Sequence, residues 1–305
     1  MSSRGIEGAV FHTGELAAQM RAGVAVNFEA EASKFIRPYF LQQHQTFYQQ
    51  LPFIVIGACD EKRRPWASVL TGERGFVVAQ DEYHLSINSR LIVGDALESA
   101  LVAGASVGLL GIEFDTKRRN RANGQLTNTS HENIQFKVKH SYGNCPQYIS
   151  ARNGQLIANR KGGKIERACR LTQAMQAWLS GTDSLFIATS NGQAALENSC
   201  TQDLGKSLDE VDASHRGGVP GFVKVISDTK IVLADYRGNN FFNSIGNLLL
   251  NPKIGLLLID YKTSSQLQIT GTARVDWNTP DQLVFPSAQR LIEIVVDEII
   301  MISAE

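Results

Sequence analysis

The chain has 305 residues, 43% hydrophobic and 20% charged, which is the composition of a folded protein with room for two domains and excludes a disordered or disulfide-stapled one. Lys plus Arg and Asp plus Glu both total 30, so no net positive field exists to draw the protein onto nucleic acid or anionic lipid. Met1 to Gly8 carries no apolar run of signal-peptide length, and no later segment is long and apolar enough to cross a bilayer, so the expectation is a cytoplasmic protein with no membrane partner.

In chain order, Glu29 to Gln50 shows helical spacing interrupted at Pro38, which predicts a helical extension over residues 1–50. The apolar run Leu51 to Ala58 predicts a strand and opens a first domain, 51–158, in which Asp95 to Ala103 reads as a helix. The basic run Lys117-Arg118-Arg119-Asn120-Arg121 has two readings, a solvated strand end and a phosphate or cofactor contact. Cys59, Cys145, Cys169 and Cys200 lie far apart, which predicts free thiols and no metal site, with Cys145 in the turn-like Gly143-Asn144-Cys145-Pro146.

Ile165 to Leu179 predicts a helix within a connector, 159–182, and Leu185 to Thr189 a strand that begins a second domain, 183–305. There, Lys230 to Ala234 reads as a strand entering the polar turn Asp235 to Asn240, and Gln266 to Thr270 alternates polar and apolar residues. Leu291, Ile292, Val295, Val296, Ile299 and Ile300 recur at helical spacing, which predicts a C-terminal helix over Ser287 to Ile302 whose apolar face packs on a barrel or a partner chain.

An internal repeat organises these elements. Val107 to Gly124 aligns without a gap on Ile254 to Gly271 with six of eighteen positions identical, and Gly75-Phe76-Val77 matches Gly221-Phe222-Val223 upstream. The expectation is a mainly β protein with accessory helices, built from two tandem barrel-like domains that form an internal pseudo-dimer.

The second domain concentrates polar chemistry between Ser214 and Asn251, including Ser214-His215-Arg216-Gly217-Gly218 and Tyr236-Arg237-Gly238-Asn239-Asn240-Phe241-Phe242-Asn243-Ser244. If these groups converge they supply guanidinium donors for a phosphate and amides and aromatic surface for a heterocycle. If they do not, the glycines serve turns and Phe241 and Phe242 the core.

The order Tyr236, the Arg237 to Asn240 turn, Phe242-Asn243-Ser244, Asn251-Pro252 and the Ser265 to Gly271 strand resembles the split barrels of the pyridoxamine 5′-phosphate oxidase superfamily, in particular its two-copy bacterial flavin-nucleotide-binding branch. The Phe11 to Ala17, Pro65 to Leu70 and Gly143 to Ile149 segments resemble that branch too, so the likeness covers nearly the whole chain. The resemblance implies two split β-barrels, an FMN cofactor in the second, a homodimer, and an oxidoreductase activity with a small-molecule substrate or electron-transfer partner. A non-catalytic flavin- or haem-binding module and a ligand-free structural protein stay open as alternatives.

Asn243 and Ser244 stand where the oxidase family has its phosphate-binding Arg-Lys pair. Arg237 is therefore the expected replacement anchor, assisted by Arg216 and Asn243, with Lys224 at the place of a family lysine. Gln266 is expected to approach the flavin ring, and Ser214, Asn240 and Asn247 to complete the polar shell. His215 is read either as a proton donor or as a supporting residue. No catalytic residue is assigned, and the first domain is expected to be structural or substrate-covering.

Overall fold

The computed structural model describes residues 10–24, 28–130, 132–152, 163–192, 210–278 and 280–303. The N-terminal extension contains three short helices, α1 (Thr13–Arg21), α2 (Phe28–Ala32) and α3 (Gln42–Gln50). A first sheet follows, made of β1 (Phe53–Cys59), β2 (Pro65–Thr71), β3 (Val77–Ala79), β4 (His84–Ile87), β5 (Ser106–Glu113), β6 (Arg118–Thr129) and β7 (Ile134–Gly143). After β8 (Ile165–Ala168) and α4 (Gln173–Gly181) comes a second sheet: β9 (Ser184–Ser190), β10 (Val211–Gly217), β11 (Val223–Ser227), β12 (Lys230–Asp235), β13 (Lys253–Ile259), β14 (Gln266–Asp276) and β15 (Arg290–Ile302). Helix α5 (Asn243–Leu250) lies between β12 and β13. No helix among the described residues is long and apolar enough to cross a membrane.

The strand order is β2-β1-β5-β6-β7-β4-β3 in the first sheet and β10-β9-β13-β14-β15-β12-β11 in the second, the same antiparallel path twice, with β8 added alongside β15. The protein is thus two tandem split-barrel-like domains. The sequence repeat is this duplication seen in register. Val107 pairs with Gly124 as Ile254 pairs with Gly271, and a bulge follows at Asn123/Gly124 in one copy and Thr270/Gly271 in the other. Even the turns match: Lys117 and Ser264 are both left-handed, as are Gly75 and Gly221.

Strands β1, β5, β9 and β13 are buried almost throughout, so both of their faces must be covered. One face fills each barrel's own core: Ile54, Ile56, Val107 and Leu109 in the first, and Leu185, Ile187, Ile254 and Leu256 in the second. The other face forms a third core along the seam, where Phe53, Val55, Leu110 and Ile112 meet Phe186, Ala188, Leu257 and Ile259. This two-sided burial makes the runs continuously apolar and turns the two barrels into an internal pseudo-dimer.

Three expected helices differ. Ser287 to Ile302 is strand β15, not a helix: Ile292, Ile294 and Val296 alternate into the second barrel's core, and beyond the bulge Ile300 and Ile302 reach into the first. β-Branched residues favour that extended form, and the bulge at Asp297 breaks the alternation so that the spacing imitates a helix. The homodimer expectation loses the apolar helix face, one of its two grounds, and keeps the split-barrel resemblance as the other. Asp95 to Ala103 forms turns, with Asp95 accepting hydrogen bonds from Leu97 N at 2.9 Å and from the Ser68 hydroxyl. Ile165 to Leu179 divides into β8 and α4, because Thr172 caps a new helix start through its bond from Met175 N.

Candidate functional site

Where the seam between the barrels opens, a cleft of about 850 Å³, open mouth included, is lined from both domains. The second domain contributes Ser214 to Gly217 of β10, the loop from Asp235 to Asn240, the start of α5 from Phe242 to Ile245, and Arg290. The first contributes Leu110, Arg119 and Arg121 from β5 and β6, and Asn144, Cys145 and Tyr148 from the segment after β7.

Of the residues expected from the sequence, Ser214, Arg216, Arg237, Asn240 and Asn243 line this cleft, and Lys224, Asn247 and Gln266 do not. Lys224 is on β11. Asn247 is fully buried behind the cleft wall, and Gln266 lies in the alternating row Gln266, Gln268, Thr270 on the face of β14 turned toward the first domain. Arg237 is exposed at the rim. Sequence reasoning left Arg119, Arg121 and Arg290 out of the cleft, although Arg119 and Arg121 belong to the basic run noted as a second reading.

Five arginines (119, 121, 216, 237 and 290) line the cleft against one carboxylate, Asp235. Arg216 and Arg290 share that carboxylate, Nε to Oδ1 at 3.5 Å and Nε to Oδ2 at 3.1 Å. Arg290 also lies over the rings of Phe242 and Trp277, 4.8 and 5.0 Å from their centroids. Arg121 reaches behind the wall to Asp212, Nη2 to Oδ1 at 2.7 Å, in a pair that is nearly inaccessible to solvent. Among the described residues Arg119 pairs with no carboxylate: its Nη1 contacts His215 Nδ1 at 3.1 Å, and its Nε lacks a hydrogen-bond partner. Burial, with Arg216 and Arg121 beside it, lowers the Arg119 pKa to about 10.

The tautomer of His215 follows from these contacts. A guanidinium only donates, so Nδ1 must accept from Arg119, and the single ring proton sits on Nε2 and is donated to Ser184 Oγ at 2.8 Å. Burial, reinforced by Arg119, Arg152 and Arg216, holds the imidazole well below its ordinary pKa, so it is neutral. His215 therefore positions Arg119 and has no proton to give into the cleft.

A buried network sets the floor. Asp212 accepts from Arg121, from Asn123 Nδ2 at 2.6 Å and from Asn247 Nδ2 at 2.9 Å. Asn247 Oδ1 is contacted by His12 Nε2 at 2.9 Å, and since His12 Nδ1 accepts from Gly14 N, that contact is a donated N–H. Asn243 accepts from Arg121 and from the Tyr142 hydroxyl, each at 3.1 Å, while its amide donates to Glu15. Burial, with Asp212 nearby, raises the Glu15 pKa well above the usual carboxylate range. Helix α1 can reach this network because Gly14 and Gly246 let it cross α5 closely: a Cβ on Gly14 would stand 2.3 Å from Gly246 O. The N-terminal segment thus buttresses α5, whose first residue faces the cleft from a left-handed Phe242 that makes no side-chain cap.

No protein-family model and no curated protein matches the chain. Among solved structures it is similar to HupZ of Group A Streptococcus, at 12% identity over 42% of this chain and 91% of that one, with a TM-score of 0.30. A candidate pyridoxamine 5′-phosphate oxidase from Lactobacillus delbrueckii matches at 15% identity over 43% of this chain and 94% of its own, with a TM-score of 0.30. An FAD-binding protein from Mesorhizobium loti matches at 11% identity over 46% and 99%, with a TM-score of 0.24. Each covers less than half of the chain, and at these scores none bears on the ligand.

Proposed function

We propose that the protein is a flavin-nucleotide-binding protein of the pyridoxamine 5′-phosphate oxidase-like type, holding FMN in the seam cleft, and that it serves as an oxidoreductase. The observation that carries this reading is the convergence of five arginines on a cleft lined by one carboxylate. Four of the five are buried or half-buried against two carboxylates, Asp235 and Asp212, so positive charge is in excess. That excess is costly unless an anion completes it, and a flavin phosphate brings close to two negative charges and several acceptor oxygens. The fit is supported by Arg119 Nε and Arg290 Nη1, which have no hydrogen-bond partner among the described residues, and by the α5 N-terminus, where backbone N–H groups and the helix dipole favour an anion.

On this reading Arg119 and Arg216 neutralise the phosphate, the Ser214 and Ser244 hydroxyls and Asn240 contribute hydrogen bonds, and Arg237 steers the anion from the rim. Leu110, Phe242 and the stacked Tyr148 and Tyr236, 5.2 Å apart, offer apolar surface to a ring. Asn247 supports from behind through Asp212. When bound, FMN itself supplies hydride or single-electron transfer. The protein's residues bind and orient it, consistent with a His215 whose only proton is engaged. The test is the absorption spectrum of the purified protein, with the mass of any ligand released on denaturation. A flavin spectrum and the mass of FMN are expected; a colourless protein that takes up no flavin from excess FMN would overturn the reading.

A further inference from the structure

The duplication creates two equivalent places along the seam, and their residues differ in kind. The register that equates Val107 with Ile254 superposes Arg119 on Gln266 and Arg121 on Gln268, and the matching of β2 with β10 superposes Ser68 on Ser214 and Leu70 on Arg216. The backbone contacts at the two places correspond as well. Asn123 Nδ2 donates to Val211 O at 2.8 Å in one, and Thr270 Oγ1 donates to Pro65 O at 3.1 Å in the other.

We infer that only one of the two seam sites binds an anionic ligand, because Gln268 and Asp95 have closed its counterpart, so that the chain carries one phosphate-bearing ligand and not two. This rests on the flavin-nucleotide reading for the identity of the ligand. At the closed place the Gln268 amide donates to Ala67 O at 3.0 Å and Asp95 Oδ2 at 3.2 Å, and its oxygen accepts from Ala96 N at 3.2 Å. The Ser68 hydroxyl donates to the same Asp95 carboxylate. Ser68, Asp95, Gln266 and Gln268 are all buried. In the open cleft Ser214 meets the neutral hydroxyl of Ser244, at 3.0 Å, with Arg119, Arg121 and Arg216 around it. Three guanidinium positions have become two amides and a leucine, and a buried carboxylate stands where an anion would have to enter. Opposite charge signs at equivalent places select the seam that holds the ligand. The closed seam instead ties the two barrels together.

The test is a calorimetric titration of the intact chain with FMN and, separately, with inorganic pyrophosphate, on wild type and on an Arg119→Gln/Arg216→Gln variant checked by circular dichroism. That variant removes two of the three guanidinium groups that the counterpart lacks and leaves the Arg121–Asp212 pair intact. One FMN per chain is expected, with both probes losing at least 30-fold in the variant. Two ligands per chain, or a full-affinity site that survives in the variant, would overturn the inference and leave the flavin reading standing. Pyrophosphate binding at one site with no FMN binding would overturn the flavin reading and leave the inference standing. Binding of neither probe would overturn both.

Discussion

Gly108 and Gly255 occupy the same position in the two halves, and each faces the backbone of the other half. A Cβ on Gly108 would lie 2.6 Å from Ala213 N and Val211 O, and one on Gly255 would lie 2.6 Å from Pro65 O. The repeat keeps glycine there because β5 crosses β10, and β13 crosses β2, at backbone contact distance. Gly108→Val and Gly255→Val should each destabilise the protein by about 1–3 kcal/mol, the usual range for overpacking. Gly143→Ala, where a Cβ would meet nothing within 4 Å, should stay within about 0.5 kcal/mol. Urea unfolding of the three variants checks this; equal losses at all three positions would remove the seam argument.

Acid should weaken the fold through His215. Its folded-state pKa lies well below the ordinary 6.5, so the unfolded chain takes up a proton first. Stability present above pH 6.5 is then lost as the pH falls below it. Burial lowers His12, His44 and His140 as well, so they contribute in the same direction, whereas Glu15, raised by burial, opposes them at higher pH. His215→Gln can still accept from Arg119 and donate to Ser184. It should reduce the acid slope by up to about 1.4 kcal/mol per pH unit, the value of one proton. An unchanged slope in pH-dependent denaturation would show that His215 is not held neutral.

The Arg121–Asp212 pair should matter far more to folding than any surface pair. Arg121→Ala leaves a buried carboxylate without its cation, a change that costs about 3–5 kcal/mol. Arg118→Ala removes an exposed partner of Glu113 and should cost less than about 1 kcal/mol. Thermal or urea unfolding of both variants distinguishes the two; similar small losses would mean that Asp212 is adequately held by Asn123 and Asn247 alone.

Much of this architecture is legible in the sequence because the repeat preserves features fixed by the backbone: Gly108 and Gly255 at the crossings, Gly124 and Gly271 at the bulges, and apolar runs covered on two sides. The β10 and Asp235 to Asn243 part of the cleft is legible for a similar reason, since its residues are close in sequence and share a polar character unusual for a barrel wall. Arg119 and Arg121 arrive from the other barrel, about a hundred residues away, and proximity in sequence cannot bring them to Arg216. A signal did exist, because the repeat alignment lays Arg119 and Arg121 on Gln266 and Gln268, and a change from amide to guanidinium at equivalent strand positions marks a site that differs between copies. The β15 reading failed where a bulge shifted the alternation and left apolar doublets that fit a helix equally well.

Arg237 should contribute to ligand capture but little to tight binding, since it stands exposed at the rim, where charge interactions are screened. Arg237→Ala is expected to weaken FMN by less than about 1 kcal/mol at moderate salt, with a larger effect on the association rate at low salt. Stopped-flow flavin quenching at two ionic strengths measures both. A loss as large as that from removing Arg119 would place the phosphate at the rim.

The central claim, a flavin phosphate held by arginines from both barrels, is tested most directly by titrating FMN and riboflavin against wild type and Arg119→Gln. Wild type should bind FMN tightly and riboflavin weakly, because riboflavin lacks the phosphate. Arg119→Gln should weaken FMN by about 2–4 kcal/mol, as expected for truncating one side of a buried charge contact, and leave riboflavin almost unchanged. Equal affinity of wild type for the two flavins, or FMN binding indifferent to Arg119→Gln, would contradict the account.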